Sequence, residues 1–397
     1  MRLIARAATA ALMALAPVVA AGTVSSAHAP EPTPAPLRTS ADAVPGEYIV
    51  TLDKGVDAAE LARQLGLTPR HVYSSALTGF AVPLTALQLE AVRVSPGVNA
   101  VEEDTKVASA PMPAAPGATR APSSSWGLDR IDQRLLPLDD DFTVGGSGAG
   151  VTAYILDTGI DYAHTEFGGR ARFGYDAMPD AATRRGQDCN GHGTHVAGTV
   201  AGSTYGVAGE ANLVAVRVLD CDGKGTYAGL IAGMDWVARN AQQPAVLNGS
   251  LGGPKSEALN NAADALFDAG VLPVFAAGNS SEDACTISPA SATSAVAVAA
   301  SNRDDQQAGF SNRGPCVSLY APGQEIVSAR LGGGSVALNG TSMAAPHVTG
   351  VAALYQQAHP NAAPADIARF LNEESTNDVL TSVSAGTPNQ LLYTGGL

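Results

Sequence analysis

Apolar residues along most of the chain alternate between short continuous runs and helical spacings. The continuous runs predict strands at 151–156, 213–219, 245–251, 271–277, 295–300 and 317–321. The helical spacings predict helices at 192–202, 225–240, 257–269 and 341–359. Strands that alternate with helices are typical of a mainly parallel sheet with helices on both faces. We therefore expect a large α/β domain over residues 126–397.

Residues 44–107 have a different pattern and predict a second, smaller module. Strand-like runs and helical spacings follow each other at 48–52, 57–65, 78–84, 84–94 and 98–107. We interpret the module as the split βαβ pattern, in which the order is strand, helix, strand, strand, helix, strand. Stretches rich in Pro and Ala flank the module, and they predict a flexible spacer at 30–43 and an exposed, cleavable linker at 108–125.

The first residues predict a secretory signal. Arg2 and Arg6 precede an apolar stretch at 7–21, and Ala27-His28-Ala29 forms a small-x-small cleavage site. A membrane anchor is the weaker alternative, because Pro17 interrupts the apolar run and no later segment reaches spanning length. We expect residues 1–29 to be removed and the protein to be secreted, without stable membrane association.

Charge and cysteine content narrow the function further. The chain has 37 acidic and 23 basic residues, a net charge of −14, which excludes a generally basic nucleic-acid binder. In an exported chain the four cysteines indicate disulfides rather than a metal site, with buried free thiols as the alternative.

Three polar residues of complementary chemistry stand at the ends of predicted elements. Asp157 follows a strand, and His192 and Ser342 each begin a helix. In parallel α/β sheets functional groups gather at the carboxyl ends of the strands. An acid that orients an imidazole, and an imidazole that takes the proton of a serine, together make the hydroxyl a nucleophile toward an acyl carbon. The N–H groups at the start of the Ser342 helix would stabilise the oxyanion.

The sequence around these residues resembles the subtilisin family of serine proteases, in its proteinase K and aqualysin branch. The matching segments are Asp157-Thr158-Gly159, His192-Gly193-Thr194-His195 and Gly340-Thr341-Ser342, in the family's order of Asp, His and Ser. The resemblance runs from about Trp126 to the C-terminus. It implies a subtilisin-like three-layer α/β fold and a secreted endopeptidase of broad, apolar-preferring specificity that forms an acyl-enzyme. Asn279 matches the oxyanion-hole amide of the family.

The resemblance also implies a substrate cleft. Gly223-Lys224-Gly225 and Ser250-Leu251-Gly252 resemble the two edge strands between which the family's peptide substrates lie as an added strand. Gly252 and Gly278, with Ala276 and Ala277, imply an open specificity pocket for medium or large apolar side chains, and Tyr227 would close a second apolar pocket. Gly249 departs from the family, where a bulkier residue is common.

Two structural features are implied in the same way. The pairs Cys189–Cys221 and Cys285–Cys316 match two disulfides of the aqualysin group. The acidic segment after Trp126 resembles a calcium site near the mature N-terminus, through Asp129, Asp132, Gln133, Asp139 and Asp141. A solvated acidic turn with capping carboxylates is the alternative. We expect structural calcium and no cofactor for catalysis.

Residues 44–107 resemble the inhibitory prodomain of the same family, a small α+β ferredoxin-like domain, through Pro45-Gly46-Glu47 and Val98-Asn99-Ala100. The resemblance implies an intramolecular inhibitor whose tail occupies the cleft. It also implies autocatalytic cleavage within the 108–125 linker, near Ala118, where the sequence resembles a mature start. We expect protein and peptide substrates, no nucleic-acid partner, and a monomer.

Other functions fit less well. A lipase or esterase would need Gly-x-Ser-x-Gly and the order Ser, Asp, His, but Ala344 replaces the last glycine and the order is reversed. Residues 157–160 are not the Gly-x-Gly-x-x-Gly of a nicotinamide site. His195 lacks a zinc motif around it and is interpreted as a structural histidine. A secreted, catalytically inactive binding protein with a protease fold remains the alternative.

Overall fold

The structure is a computed structural model that describes residues 33–109 and 125–397. Residues 34–397 form one compact unit. The predicted signal and the predicted mature start at Ala118 lie outside the described residues. Within the described ranges, no helix is long and apolar enough to cross a membrane.

The described helices are α1 (Ala58–Gln64), α2 (Ala86–Arg93), α3 (Trp126–Ile131), α4 (Ala181–Arg184), α5 (His192–Ala201), α6 (Tyr227–Asn240), α7 (Glu257–Asp268), α8 (Thr341–Ala358) and α9 (Pro364–Glu373). The described strands are β1 (Leu37–Arg38), β2 (Ala43–Leu52), β3 (His71–Tyr73), β4 (Gly79–Pro83), β5 (Val98–Ala108), β6 (Thr152–Asp157), β7 (Ala171–Asp176), β8 (Asn212–Arg217), β9 (Lys224–Thr226), β10 (Ala245–Gly249), β11 (Gly253–Pro254), β12 (Leu272–Ala276), β13 (Ile287–Ser288), β14 (Val296–Ser301), β15 (Leu319–Pro322), β16 (Ile326–Ala329), β17 (Ser335–Leu338), β18 (Thr376–Asn377) and β19 (Gln390–Leu391).

The main sheet has the strand order β18-β19-β15-β14-β12-β10-β6-β8-β7. Every neighbouring pair in it is parallel except β18 with β19, so the predicted mainly parallel α/β sheet is confirmed. The carboxyl ends of β6, β10 and β12 therefore point to one edge of the sheet, where Asp157 ends β6, Ser250 follows β10 and Ala277 follows β12.

Alternating side chains of the central strands divide the core into two layers. On β6, Ala153 and Ile155 pack in the same cluster as residues of α5 and α8, whereas Tyr154 and Leu156 pack with α6 and α7. Successive residues of a strand face opposite sides of the sheet, so a strand that is apolar throughout is buried on both faces. Helices accordingly cover both faces, as the sequence predicts.

The N-terminal module, residues 33–109, is built on a second sheet with the order β1-β5-β2-β4-β3. The helices α1 and α2 cover one face, over Val50, Phe80 and Val101. Ile49 and Ala81 on the opposite face belong to the core cluster of α6 and α7. The predicted split βαβ arrangement is present, and one face of this sheet is completed by the main domain.

Two parts of the sequence interpretation need correction. The interpretation of residues 30–43 as a flexible spacer is wrong for its described part, because Leu37 and Arg38 form β1, parallel to β5. A strand of two residues has too little apolar pattern to be recognised in a Pro-rich segment. The helix α9 was not predicted, since only Ile367, Leu371 and the first-turn Pro364 are buried in it.

Candidate active site

Asp157 and His192 are joined by hydrogen bonds at the carboxyl edge of the main sheet. Asp157 is the last residue of β6, is fully buried, and accepts the N–H of Thr158 at 2.7 Å. His192 begins α5, and its Nδ1 lies 2.8 Å from Asp157 Oδ1 and 3.0 Å from Oδ2. Because Nδ1 faces only carboxylate oxygens, it carries the ring proton, and Nε2 is left as the basic atom.

The electrostatics favour an imidazole that can hold a proton. Burial alone would lower the pKa of His192, but the charge and hydrogen bond of Asp157, with a further contribution from Asp188, raise it above 6.5. Nε2 is buried and has no hydrogen-bond partner among the described residues. A basic atom without a partner at the edge of a cleft is available to a substrate or a nucleophile.

Ser342 is the second residue of α8, so its backbone belongs to the first turn of the helix. Its Oγ donates to Ser250 O at 3.2 Å, so the structure does not join the hydroxyl to His192 directly. Ser250 Oγ in turn donates to Ser342 O at 2.8 Å, which ties the end of β10 to the start of α8. Asn279 Oδ1 accepts the N–H and the hydroxyl of Thr341, both at 2.8 Å, and this holds the amide beside Ser342.

Asp188 fixes Asp157 and His192 relative to each other, a role that the sequence analysis missed. Its Oδ1 accepts Thr158 Oγ1 at 2.9 Å, and its Oδ2 accepts Thr194 N at 3.0 Å and Thr194 Oγ1 at 2.6 Å. Thr158 Oγ1 also accepts the N–H of Gly193 at 2.9 Å. The buried carboxylate thus connects the loop after Asp157 to the first turn of α5. An aspartate shortly before a predicted helix is an N-cap signal that could have pointed to it.

The chain's own residues 106–109 lie in the predicted substrate cleft. In the antiparallel pair of β5 with β9, Val107 pairs with Gly225 and Ala108 with Lys224, and Ala108 forms a bridge to Gly252 on the other side. Ser109 N donates to Gly223 O at 2.9 Å. The segment is therefore an added strand between the two predicted edge strands, as peptide ligands of a sheet edge are bound.

A cavity of about 420 Å³ opens beside this strand. Its lining includes five predicted residues, Leu251, Gly252, Ala276, Gly278 and Asn279, together with Ser342. It also includes residues that the sequence analysis did not select: Ala108, Gly253, Pro254, Ser280, Glu282, Thr286, Ile287, Asn312 and Thr341. Ala277 is not in the lining, because it is fully buried in a separate core cluster with Ala299 and Tyr320.

The second predicted pocket involves Tyr227. This buried ring and Val107 of the N-terminal module belong to one apolar cluster, and the Tyr227 hydroxyl donates to Pro254 O at 2.5 Å.

The structure accounts for the glycine at position 249, where the family commonly has a bulkier residue. A Cβ at this position would lie 2.4 Å from the ring of Phe275, which occupies the space.

The N-terminal module is anchored to the main domain by carboxylates at helix starts. Glu102 accepts Ala258 N at 3.0 Å at the start of α7, and Asp104 accepts Ala228 N at 2.9 Å at the start of α6. Negative charge at these positions stabilises a helix N-terminus. In the reverse direction, the main-domain residue Asp235 accepts three backbone N–H groups of the module through one oxygen, from Ser74, Ser75 and Ala76.

The predicted calcium ligands lie in and after α3. The carboxylate of Asp129 accepts the N–H groups of Asp139 and Asp140, and Asp132 Oδ2 accepts Thr143 N at 2.6 Å. Asp132 Oδ1 is buried and has no hydrogen-bond partner among the residues that the structure describes. Burial raises the pKa of Asp129 and of Asp132, and neighbouring carboxylates raise both further. No group of three His, Cys, Asp or Glu side chains that could hold a metal occurs within the described ranges.

The side chains at the remaining predicted ligand positions form hydrogen bonds within the turn itself. Gln133 Nε2 donates to Leu135 O and, at 2.8 Å, to Pro137 O. The Thr143 hydroxyl donates to Asp141 Oδ2, and Asp141 N donates to Asp139 Oδ1. The carboxylates of the segment therefore accept N–H groups of the turn, and one buried acidic oxygen has no hydrogen-bond partner in the described part of the chain.

Two other predictions concern cysteine and histidine. The disulfides Cys189–Cys221 and Cys285–Cys316 are both present, as predicted. His195 donates through Nε2 to Ile326 O and Val336 O at 3.0 and 3.1 Å, the contacts of a structural histidine. Burial lowers its pKa to about 3, so it stays neutral.

Comparisons with known proteins show the family of the chain. The profile of the subtilase family matches residues 148–390, and the profile named peptidase inhibitor I9 matches residues 66–110. An extracellular serine proteinase of Thermus sp. (strain Rt41A) is 44% identical over 89% of this chain and 90% of its own length. A cuticle-degrading protease of Metarhizium anisopliae is 37% identical over 97% of this chain and 99% of its own.

A solved structure is similar as well. The crystal structure of a cold-adapted subtilisin-like serine proteinase is 49% identical, covers 69% of this chain and 99% of its own, and superposes with a TM-score of 0.66. The profile match spans more than half of the chain, and the Metarhizium relative is matched along almost all of its length. The chain therefore belongs to the subtilase family, as a serine endopeptidase with an inhibitor I9 segment before its catalytic part.

Proposed function

We propose that this chain is a secreted, self-processing zymogen of a subtilisin-like endopeptidase, with Asp157, His192 and Ser342 as its catalytic residues. The observation that carries the proposal is the strand at residues 106–109. It lies in the cleft between Gly223–Gly225 and Gly252 as a peptide substrate would, and Ala108 of this strand lines the same cavity as Ser342. The relatives named as extracellular proteases support secretion.

The catalytic steps follow from the hydrogen bonds of the site. When a substrate binds, Ser342 Oγ exchanges its bond to Ser250 O for one to the free Nε2 of His192. The imidazole takes the hydroxyl proton as Oγ attacks the peptide carbonyl, and Asp157 stabilises the imidazolium through Nδ1. The Asn279 amide and the Ser342 N–H stabilise the oxyanion. The imidazolium then protonates the leaving amine, and water hydrolyses the acyl-enzyme by the same route.

Substrate preference follows from the two pockets. Leu251, Pro254 and Ile287 give the cavity beside Ser342 an apolar wall, and Gly252 and Gly278 leave it open. We propose that it accepts the side chain before the scissile bond, with apolar side chains preferred. Val107 fills the apolar site at Tyr227. In a substrate we therefore expect a medium apolar residue three positions before the residue that precedes the scissile bond. Backbone pairing accounts for broad specificity.

The register of the bound strand also bears on processing. Val107 pairs with Gly225 and Ser109 N bonds to Gly223 O, so the described strand ends at Ser109 inside the cleft, and Ala108 of this strand lines the same cavity as Ser342. We expect the first self-cleavage within a few residues of Ser109, with the released module, residues 44–107, remaining as an inhibitor. A mature start near Ala118 would then require a second cut in the 108–125 linker. Residues 126–397 would be the catalytic domain.

Structural calcium is a further part of the proposal. The buried Asp132 Oδ1 lacks a partner, and the Gln133 side-chain oxygen accepts no hydrogen bond among the described residues, which suits a hard cation. Calcium would neutralise the clustered carboxylates of this segment. Calcium, but not magnesium, should raise the Tm of the uncleavable Ser342→Ala protein, and Asp132→Asn should remove the increase. Equal Tm values with calcium and with a chelator would contradict this part.

Labelling with a fluorophosphonate tests the proposed chemistry. The reagent reacts only with an activated serine, so the processed wild-type protein should be labelled on the peptide that contains Ser342. Ser342→Ala should stay unlabelled, and Ser280→Ala, which changes another pocket hydroxyl, should be labelled normally. A folded, processed wild-type protein without label would favour the alternative of an inactive secreted binding protein.

We further expect a monomer that binds no nucleic acid.

A further inference from the structure

The specificity cavity contains one carboxylate, Glu282, that the proposed apolar preference does not use. Glu282 is the only acidic or basic residue in the lining of this cavity among the described residues. The other side chains around it are small, apolar or neutral. A single charge in the wall of a substrate pocket acts on every ligand that enters the pocket.

The backbone of Glu282 is held in place from both sides. Glu282 N donates to Asn312 Oδ1 at 3.0 Å, and Arg313 N donates to Glu282 O at 2.9 Å. The disulfide Cys285–Cys316 closes the same loop. The start of the side chain is therefore fixed at the cavity wall, although the residue itself is exposed.

The carboxylate of Glu282 has no partner among the described residues, neither an ion pair nor a hydrogen bond. The neighbouring carboxylate, Asp283, differs in this respect, because it accepts Cys285 N at 2.9 Å and is not in the cavity lining. The two adjacent acids thus have different surroundings. Asp283 accepts a hydrogen bond within the loop, whereas Glu282 lines the cavity.

We infer that Glu282 extends the substrate class of this pocket to peptides with Lys or Arg before the scissile bond. The inference rests on the proposed function, because it assigns that residue of the substrate to the cavity beside Ser342. The apolar stem of Lys or Arg would pack against Leu251 and Ile287, and its cationic end would pair with Glu282. Long basic side chains bind in this way, with the stem on apolar surface and the charge at the polar rim.

The same carboxylate disfavours acidic substrates. A glutamate side chain in the cavity would bring two negative charges together in a partly desolvated space, and like charges raise the free energy of the complex. The preference should therefore appear as an order, with Lys and Arg cleaved well, Gln less well and Glu poorly. The rate of cleavage after phenylalanine should not depend on the charge of Glu282.

Peptide p-nitroanilides of the form succinyl-Ala-Ala-Pro-X, with Lys, Gln, Glu or Phe at X, test the inference on the processed enzyme. The variant Glu282→Gln keeps the size of the side chain, and Asp283→Asn is the matched control one residue away. Glu282→Gln should lower kcat/KM for Lys roughly fivefold relative to Phe, the scale of an exposed ion pair, and should raise it for Glu. High salt should lower the Lys preference of the wild type and of Asp283→Asn, but not that of Glu282→Gln.

The outcomes are distinct. A Lys-to-Phe ratio that Glu282→Gln leaves unchanged would overturn the inference while the endopeptidase function stands. An equal loss in Asp283→Asn would show that the general negative potential of the loop acts, and would also overturn it. If the wild type cleaves none of the four peptides or any protein, the proposed function itself fails.

Discussion

The docking of one loop of the N-terminal module, residues 74–76, depends on a carboxylate of the main domain, and Asp235→Asn tests this dependence. Asp235 Oδ1 accepts the N–H groups of Ser74, Ser75 and Ala76 at 2.9, 2.7 and 3.0 Å, and the residue is 1% exposed. Asparagine keeps a carbonyl oxygen of the same size at this position. The variant therefore removes the charge of the acceptor, together with the ion pair between Oδ2 and Arg239, while the three bonds to Oδ1 can persist in neutral form.

The magnitude follows from the difference between charged and neutral hydrogen bonds. A hydrogen bond to a charged group contributes about 1.5–3 kcal/mol, against about 0.5–1.5 kcal/mol for a neutral one. Three donors share one oxygen, so their differences do not add fully, and a total of about 2 kcal/mol is a reasonable estimate. This corresponds to about a 30-fold change in the equilibrium between the docked and undocked loop.

Hydrogen exchange of the full-length Ser342→Ala protein measures this equilibrium without self-cleavage. The amides of residues 74–76 should exchange about 30-fold faster in Asp235→Asn. Asp268→Asn is the matched control, because it makes the same charge change at an exposed site on α7. Unchanged exchange at residues 74–76 in Asp235→Asn, or equal acceleration in the control, would refute the reasoning.

Three further predictions concern the active site and acid stability. Asn279→Ala should lower kcat by about 100- to 1,000-fold with little change in KM, the loss known for the corresponding donor of a subtilisin; a loss confined to KM would contradict the oxyanion role. The raised pKa of His192 should place the acid limb of kcat/KM above pH 6.5, because only the neutral imidazole accepts the serine proton, and a midpoint at or below 6.5 would contradict it. Burial lowers the pKa of His195 to about 3 and that of His347 to about 4, so the unfolded chain binds more protons between these values and 6.5. Their contribution to stability is present above pH 6.5 and is lost as the pH falls, so the Tm of Ser342→Ala should decrease below 6.5; a constant Tm down to pH 4 would contradict this.

The sequence predicts those elements whose signal is local. Strands such as β6 and β10 are continuous apolar runs because both faces of the main sheet are covered, and this pattern does not depend on distant residues. Asp157, His192 and Ser342 are recognisable from the residues beside them. By contrast, β1 has two residues and α9 buries few side chains, so neither produces a period that stands out from its surroundings.

The functional contacts that the sequence does not predict join distant segments. Asp188 bonds to Thr158, 30 positions away, and Asp235 bonds to Ala76 across 159 positions. Each of these acids looks like a solvated surface residue in the sequence. Glu282 is similar, because only the folded loop places it in the cavity lining while Asp283 beside it stays outside. Sequence reasoning predicts the reacting groups that we propose here, whereas their positioning and selectivity depend on packing.

The intact masses of the secreted wild-type protein and of Ser342→Ala, made in the same host, test the central claim most directly. We predict that the wild type has the mass of a processed chain. This chain should start either within a few residues of Ser109, after the first cut, or near Ala118, after a second cut. The Ser342→Ala protein should keep the N-terminal module covalently attached. Cleavage of both proteins at the same bond would contradict the claim that Ser342 performs the processing.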